Sequence, residues 1–151
     1  MDAVSQLHKS VKQLTLSFYF RITCLGYNIR MIALNLDGDK HTLFNPTLFD
    51  KSEETFDMYD DCFSLPDTIV HLTRHKHVSV SFVNPLGLQE TWLHVNEHVS
   101  ELLQHEVDHL NGVLAIDHAS SPDDILSRNE YCNKHGKPNS LVCAALSKQE
   151  L

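Results

Sequence analysis

Two histidines and a glutamate stand close together in the stretch His105-Glu106-Val107-Asp108-His109. Imidazoles four residues apart lie one above the other on a helix face, which is the spacing that two ligands of one metal ion require. A metal ion makes the water that it binds more acidic, and a neighbouring carboxylate can take up the proton as the water attacks a carbonyl group. The pattern therefore predicts metal-assisted hydrolysis, with a structural pair of surface histidines as the alternative.

The cysteine content decides whether a thiolate could join these histidines. The chain contains Cys24, Cys62, Cys132 and Cys143, without the dense regular spacing of a disulfide-rich protein. A reduced intracellular protein with ordinary thiols is therefore expected. In such a protein, Cys62 is available as a metal ligand.

The composition limits the class of protein and its partners. A chain of 151 residues with 42% hydrophobic residues is expected to form one domain over 1–151. A net charge of −8 argues against nucleic acid, and no apolar run reaches the roughly 20 residues that span a bilayer. The opening segment, residues 1–14, lacks the arginines of a transit peptide. We expect a cytoplasmic protein, or an organellar one in a eukaryote.

The first half of the chain is predicted to be mostly strands. An amphipathic helix with Leu7, Val11 and Leu14 on one side is expected in the opening residues 1–14. Two strands are predicted within 17–36, and the second ends at Asp37-Gly38-Asp39. Asn45-Pro46 favours an extended edge strand, because proline cannot donate to a neighbouring strand. The acidic stretch 50–61 is predicted to be a solvated loop.

The second half changes from strands to helices. A hairpin is predicted from 77–83 and 88–95, and a helix from about Asn96 to Leu110 with a stop at Asn111-Gly112. Beyond it, 113–116 suggests a short strand, and Ser121-Pro122-Asp123-Asp124 suggests the capped start of a helix. Strands followed by helices, without strand–helix–strand alternation, indicate the α+β class.

Two segments resemble motifs of the peptide deformylase family. LLQHEVDHLNGVLAID is similar to the third motif of that family, QHExDHLxG, at every defining position from Gln104 to Gly112. DDCFSLP, residues 60–66, resembles the second motif, EGCLSxP, whose cysteine is a metal ligand. The resemblance covers about 5–120 and leaves 121–151 as a C-terminal helix and tail. It implies antiparallel sheets packed around a central metal-binding helix.

The resemblance also implies a reaction and a metal centre. The expected activity is removal of the formyl group from N-formylmethionyl peptides or nascent-chain N-termini, which is N-terminal processing in protein biosynthesis. Cys62, His105 and His109 would hold one Fe(II) or Zn(II) ion, with nickel or cobalt as substitutes, and leave one tetrahedral position for water. Glu106 would be the catalytic acid and base, and a monomer is expected.

Further residues take roles from their positions in these motifs. The backbone N–H of Phe63 is the implied oxyanion donor, and Arg74 and Asp108 the implied structural ion pair. Three residues on the face of the metal helix that carries His105 should line the substrate pocket: His98, Glu101 and Leu102. Because two of them are polar, we expect a weaker or altered preference for methionine.

The chain departs from the family at two positions that bear on catalysis. The glutamine of the first motif, GxGLAAPQ, is missing and Cys24 takes its place, while Asp61 replaces the glycine before the ligand cysteine. Loss of one oxyanion donor typically slows such a reaction by about 100- to 1000-fold. The alternative is therefore a catalytically impaired, deformylase-like peptide-binding protein. A zincin-type metalloprotease is a further alternative that HExxH alone allows and Cys62 disfavours.

Overall fold

The computed structural model describes residues 18–19, 29–62 and 64–135. These residues fall into two compact units, one drawn from 1–55 and 75–113 and the other from 56–74 and 114–151. The helix predicted in the opening residues 1–14 and the tail from Gly136 lie outside the described residues. A single domain over 1–151 stays a prediction.

The described chain contains eight strands, two α-helices and two short 3-10 helices. In chain order they are β1 (Phe18–Tyr19), β2 (Met31–Leu36), β3 (Asp39–Phe49), β4 (Thr55–Cys62), β5 (Leu65–His75), β6 (Ser79–Val83), β7 (Gln89–Trp92), α1 (Glu97–Leu110), the 3-10 helices Ala115–His118 and Pro122–Asp124, β8 (Ile125–Ser127) and α2 (Arg128–His135). Antiparallel pairing and separate helices confirm the predicted α+β class. No helix within the described ranges has both the length and the apolar character needed to cross a membrane.

The first unit contains a five-stranded sheet in the order β1-β2-β3-β6-β7. Each neighbouring pair is antiparallel, and the predicted hairpin is present as β6 and β7. β2 ends where predicted, because Asp37 and Gly38 take positive φ angles of 52° and 98° in the turn to β3. At the second of these positions, glycine avoids the steric cost that a side chain would bring.

β3 lies inside this sheet, so the prediction of an edge strand at Asn45-Pro46 is wrong. Phe44 pairs with Val83 and Thr47 with Ser81, which leaves one extra residue on β3 between the two pairs. This β-bulge, with Asn45 at a φ of 50°, places the proline where the regular hydrogen-bond ladder is already interrupted. A proline is therefore accommodated within a central strand.

Helix α1 packs on the five-stranded sheet through an apolar stripe. The side chain of Asn96 accepts a hydrogen bond from the Val99 N–H at 3.0 Å and caps the helix start, while Gly112 at a φ of 81° follows its end. Leu103, Val107 and Leu110 enter the core of the sheet. The predicted helix and both of its ends are thus confirmed.

The second unit contains a three-stranded sheet in the order β4-β5-β8. Because β4 begins at Thr55, the prediction of a solvated loop over 50–61 is wrong for most of that stretch. Phe56, Met58 and Asp60 are more buried than Thr55, Asp57 and Asp61, so one face of the strand is covered despite the many acids. Counting charges missed this alternation.

The segment after α1 also differs from prediction. Residues 115–118 form a 3-10 helix, because the Asp117 carboxylate accepts a hydrogen bond from the Leu114 N–H at 2.7 Å and closes a local turn. The capped start at Ser121 is present, but its helix is one turn, Pro122–Asp124, before β8 begins. Cys132 in α2 takes part in a disulfide, which contradicts the expectation of an ordinary thiol.

Helix α2 begins at a well-capped position next to β8. The Glu130 carboxylate accepts hydrogen bonds from the N–H and hydroxyl of Ser127 at 2.8 and 2.6 Å. These bonds, the hydroxyl bond first, hold the pKa of Glu130 below its ordinary value of 4.5. The cap is therefore formed at neutral pH.

Candidate metal site

His105 and His109 face each other on one side of α1. Their Nε2 atoms lie 2.9 Å apart and their rings are nearly perpendicular, at 83°. Both side chains are buried, with 8% and 6% of their surface exposed. The four-residue spacing has therefore produced the convergence that two ligands of one ion require.

The ring orientation of His109 fits metal binding. Its Nδ1 lies 3.2 Å from the carbonyl oxygen of Val113, and a carbonyl can only accept, so Nδ1 carries the hydrogen. The lone pair of its Nε2 then points at His105, as it does in histidines that ligate metals. Two metal–nitrogen bonds at a tetrahedral angle separate the nitrogens by about 3.3 Å. A small spread of the pair would accommodate an ion.

The ring pair is supported by Gln104, the residue before His105. Its amide oxygen accepts from the N–H of His75 at 3.1 Å, and its amide nitrogen donates to the carbonyl of His75 at 2.9 Å. The hydroxyl of Ser100, one turn earlier, donates to the same carbonyl at 2.8 Å. The rotation of α1 about its axis is therefore fixed by one backbone position.

The end of the metal helix is held by Arg30. Its guanidinium donates to the carbonyl of Leu110 and to the side-chain oxygen of Asn111, both at 2.8 Å. A cation at this end also complements the helix dipole. The turn that carries His109 is thus anchored from the start of β2.

Glu106 lies between the two histidines in sequence and is buried, with 4% of its surface exposed. Burial removes a carboxylate from bulk water and strengthens its interactions with nearby polar groups. This is the environment in which a carboxylate exchanges protons with a reacting molecule.

Cys62 is the last residue of β4, in the second unit, and it is buried. The backbone N–H of Ser64 donates to its Sγ at 3.3 Å. A hydrogen bond to sulfur favours the thiolate, which is the form that binds metals. Two residues earlier, Asp60 accepts from the Arg74 guanidinium at 3.2 Å, and both side chains are 4% exposed.

Asp61, which replaces the family glycine, pairs with a residue far along the chain. The Arg128 Nη2 donates to its carboxylate at 3.0 Å, and the Arg128 Nε donates to the carbonyl of Pro66 at 2.8 Å. The extra negative charge next to Cys62 is therefore matched by a cation within the same unit.

Comparison with known proteins identifies the family. Residues 23–124 match the family model described as Polypeptide deformylase. The chain belongs to the peptide deformylase family. The matched region contains Cys62, both histidines of α1 and Glu106.

Individual deformylases agree with this membership. The peptide deformylase of Brucella suis biovar 1 is 34% identical over 101 residues, which are 64% of this chain and 57% of that protein. The peptide deformylase of Mesorhizobium japonicum is 31% identical over 126 residues, which are 78% of this chain and 70% of that protein. The chain thus matches little more than half the length of the Brucella relative.

A solved structure shows the same fold. The probable peptide deformylase of Synechococcus phage S-SSM7 superposes with a TM-score of 0.63 at 26% identity. The superposition covers 76% of this chain and 82% of the phage protein. The expected deformylase-like fold is therefore confirmed.

Several deformylase-derived assignments stay predictions. Phe63, the expected oxyanion donor, and Cys24, in place of the family glutamine, lie outside the described residues. Arg74 pairs with Asp60, and its predicted pairing with Asp108 is not tested. Of the expected pocket residues, His98 is exposed, whereas Glu101 and Leu102 are half-buried, with Leu102 packed against the core of the first unit.

Sequence reasoning missed three supporting residues of the candidate site. Asp60 could have been found, because it shares a strand face with Cys62 two residues later. Ser100 lies one turn before Gln104 and could have been found from helix spacing. Arg128 contacts a residue 67 positions away and lies outside the family motifs, so no local pattern indicated it.

Proposed function

We propose that this chain removes the formyl group from N-terminal peptides with one divalent ion held by Cys62, His105 and His109. The buried pair of facing Nε2 atoms is the observation that carries the proposal. The N–H that Ser64 donates to the sulfur of Cys62 supports a thiolate as the third ligand. Family membership supports the reaction.

The donor set fits Fe(II) or Zn(II), with nickel or cobalt as substitutes. A thiolate and two imidazoles suit borderline ions of this kind and leave a fourth position open. When bound, the ion would polarise the formyl carbonyl and make water a better nucleophile. We propose an N-formylated peptide or nascent-chain N-terminus as the substrate, handled by a monomer in the cytoplasm or an organelle.

Glu106 is the proposed proton carrier of the reaction. Its carboxylate takes the proton that water loses as it attacks the formyl carbon, and then delivers it to the nitrogen of the leaving amine. Burial serves this exchange, because the proton is not lost to bulk water between the two steps. Formate and a peptide with an unblocked amino terminus are the products.

Formate release from formyl-methionyl peptides tests the proposal. The iron-loaded chain should release formate, and Glu106→Gln should lower kcat by about 100- to 10,000-fold while the metal content is retained. Glu97→Gln, an exposed position in the first turn of α1, is the matched control and should behave like the unaltered chain. Release that is equal in Glu106→Gln and the unaltered chain would refute the role of Glu106.

A second candidate is a deformylase-like module that binds formylated peptides without turnover. The absence of the first-motif glutamine, with Cys24 in its place, favours it. Calorimetry separates the two candidates. Binding of a formyl-methionyl peptide by metal-loaded protein that releases no formate would establish this candidate in place of the first.

We propose that the polar residues on α1 alter the side-chain preference next to the formyl group. His98, Glu101 and Leu102 lie seven, four and three residues before His105 in the sequence of α1. Glu101→Leu should raise kcat/KM for formyl-methionyl relative to formyl-alanyl peptides, because it adds apolar surface for the longer side chain. An unchanged ratio would exclude Glu101 from the pocket.

A further inference from the structure

Arg128 joins two backbone segments on either side of Cys62. One of its donors contacts Asp61, directly before the cysteine, and another contacts the carbonyl of Pro66, four residues after it. Arg128 itself is buried, with 7% of its surface exposed. The end of β4 and the start of β5 are therefore held by one side chain.

The chemistry of arginine makes this contact restrictive. A guanidinium is planar and presents its donors at fixed angles, so two acceptors that bind it together are held at a fixed separation. Lysine carries the same charge but concentrates it on one rotating ammonium group. The geometry therefore limits how far Asp61 and Pro66 can move relative to each other.

The position of Arg128 is in turn fixed by its neighbours in the chain. Ser127 pairs with Thr68 in the antiparallel contact of β8 with β5. The hydrogen bonds between Ser127 and Glu130 then begin α2 at the next residue. The register of β8 and the cap of α2 together therefore fix the position of the Arg128 backbone, from which the guanidinium reaches Asp61 and Pro66.

Arg128 pairs with Asp61, the position at which this chain departs from the family motif. The motif has glycine before the ligand cysteine, and this chain has a carboxylate that is 42% exposed. Arg128 lies beyond residues 23–124, which match the family model. An aspartate inside the family motif and an arginine outside the matched region are therefore paired in this chain.

We infer that Arg128 is a positioning residue for the metal ligand Cys62, holding the thiolate in place and matching the charge of Asp61. The inference rests on the proposed metal role of Cys62. Residues that orient a ligand from outside the coordination sphere typically change metal affinity by about 10- to 100-fold when they are replaced. The chain would thus use α2 to support the site.

Cobalt titration of the full-length chain tests the inference. Co(II) is titrated against a chromophoric chelator to obtain the affinity, and the thiolate-to-cobalt charge-transfer band reports the sulfur ligand. Arg128→Met should weaken binding by about 10- to 100-fold and reduce or shift the band. Arg128→Lys should recover part of the affinity, and Lys134→Met, an exposed position on the same helix, should match the unaltered chain.

Asp61→Asn guards against a folding defect in Arg128→Met. It removes the charge at a half-exposed position and leaves the contact with Pro66. The inference is supported if Asp61→Asn loses less cobalt affinity than Arg128→Met and if the double variant loses less than the sum of the two single losses. An Arg128→Met protein with unaltered affinity and band, or a loss that Asp61→Asn does not share, overturns it.

The unaltered chain separates this inference from the proposed function. Co(II) bound without a thiolate band refutes Cys62 as a ligand and overturns the inference with it. A normal band in the unaltered chain, with unaltered affinity and band in every variant, overturns the role of Arg128 alone and leaves the three-ligand site intact.

Discussion

The Nε2 atoms of His105 and His109 lie 2.9 Å apart on the buried side of α1. At this distance the two rings share either one hydrogen or one cation, because two protonated nitrogens would repel each other. The hydrogen on Nδ1 of His109, directed at the carbonyl of Val113, leaves its Nε2 as an acceptor. Protons and metal ions therefore compete for the same pair of nitrogens.

This competition predicts how metal affinity depends on pH. Because the imidazoles bind metal only when neutral and the cysteine only as thiolate, affinity should fall as the pH is lowered. His109→Ala should weaken Zn(II) binding by more than about 100-fold, since it removes a ligand outright. Competition with a chelator at several pH values measures both effects. The exposed His135→Ala is the control, and equal affinities in the two variants would exclude His109 as a ligand.

Gln104 should stabilise the first unit through its contacts with the backbone of His75. Gln104→Glu keeps the size of the side chain but replaces the amide N–H that donates to the His75 carbonyl with an oxygen. Because this bond is lost, the free energy of unfolding should fall by about 1–3 kcal/mol. Urea unfolding of the apo protein gives this difference. The exposed Gln89→Glu makes the same chemical change on β7 and should have little effect. Matching losses in both variants would contradict the prediction.

The buried pair Asp60–Arg74 should show strong coupling. Removing one member leaves the other charged and buried, so Asp60→Leu should destabilise the chain by about 3–5 kcal/mol. The double variant with Arg74→Met should recover much of that loss, because no charge is then left buried. A double-mutant cycle in urea measures the coupling. Asp108→Asn, studied alongside, tests the predicted pairing of Arg74 with Asp108.

Asp124 should make the second unit sensitive to acid. The backbone N–H of Ser121, at 2.8 Å, is the main reason that the pKa of this carboxyl lies below its ordinary value of 3.8, with smaller contributions from His71 and the N–H of Ser120. A lowered pKa contributes stability that is present above the unfolded value and lost as the pH falls through the folded one. Asp124→Asn should therefore be less stable than the unaltered chain at pH 7.

Urea midpoints at pH 7 and near pH 3 test this expectation. The difference between Asp124→Asn and the unaltered chain should shrink on acidification, since the carboxyl of the unaltered chain becomes protonated. Asp123→Asn, at the exposed neighbouring position, is the control. A difference that stays constant over this pH range would show that the charge of Asp124 does not matter.

The features that were predicted correctly from the sequence depend on residues that are close together in the chain. The spacing within α1, its cap at Asn96 and its end before Gly112 are set by residues within a few positions of each other, and all are present. The α+β class was also predicted correctly, since alternation and helical periodicity are local patterns. Family motifs supplied the remaining site residues.

What the sequence did not predict depends on distant parts of the chain. The acidic β4 is a strand because its covered face includes Asp60, whose charge is matched by Arg74 on the neighbouring strand. The segment 113–116 is apolar enough for a strand, yet the Asp117 carboxylate closes residues 115–118 into a helical turn. Arg128 has its partners more than 60 residues away, where periodicity gives no information.

The bulge in β3 decides which leucines meet the core. Side chains alternate along a regular strand, so Leu43 and Leu48, an odd number of positions apart, would point to opposite sides of the sheet. Both nevertheless contact the same core cluster, and Leu48 stands opposite Val80. The added residue at Asn45-Pro46 thus shifts the inside–outside parity of the strand by one. If the strand ran regularly through Asn45-Pro46 without the bulge, Thr47 would stand opposite Val80, in the position that Leu48 now fills.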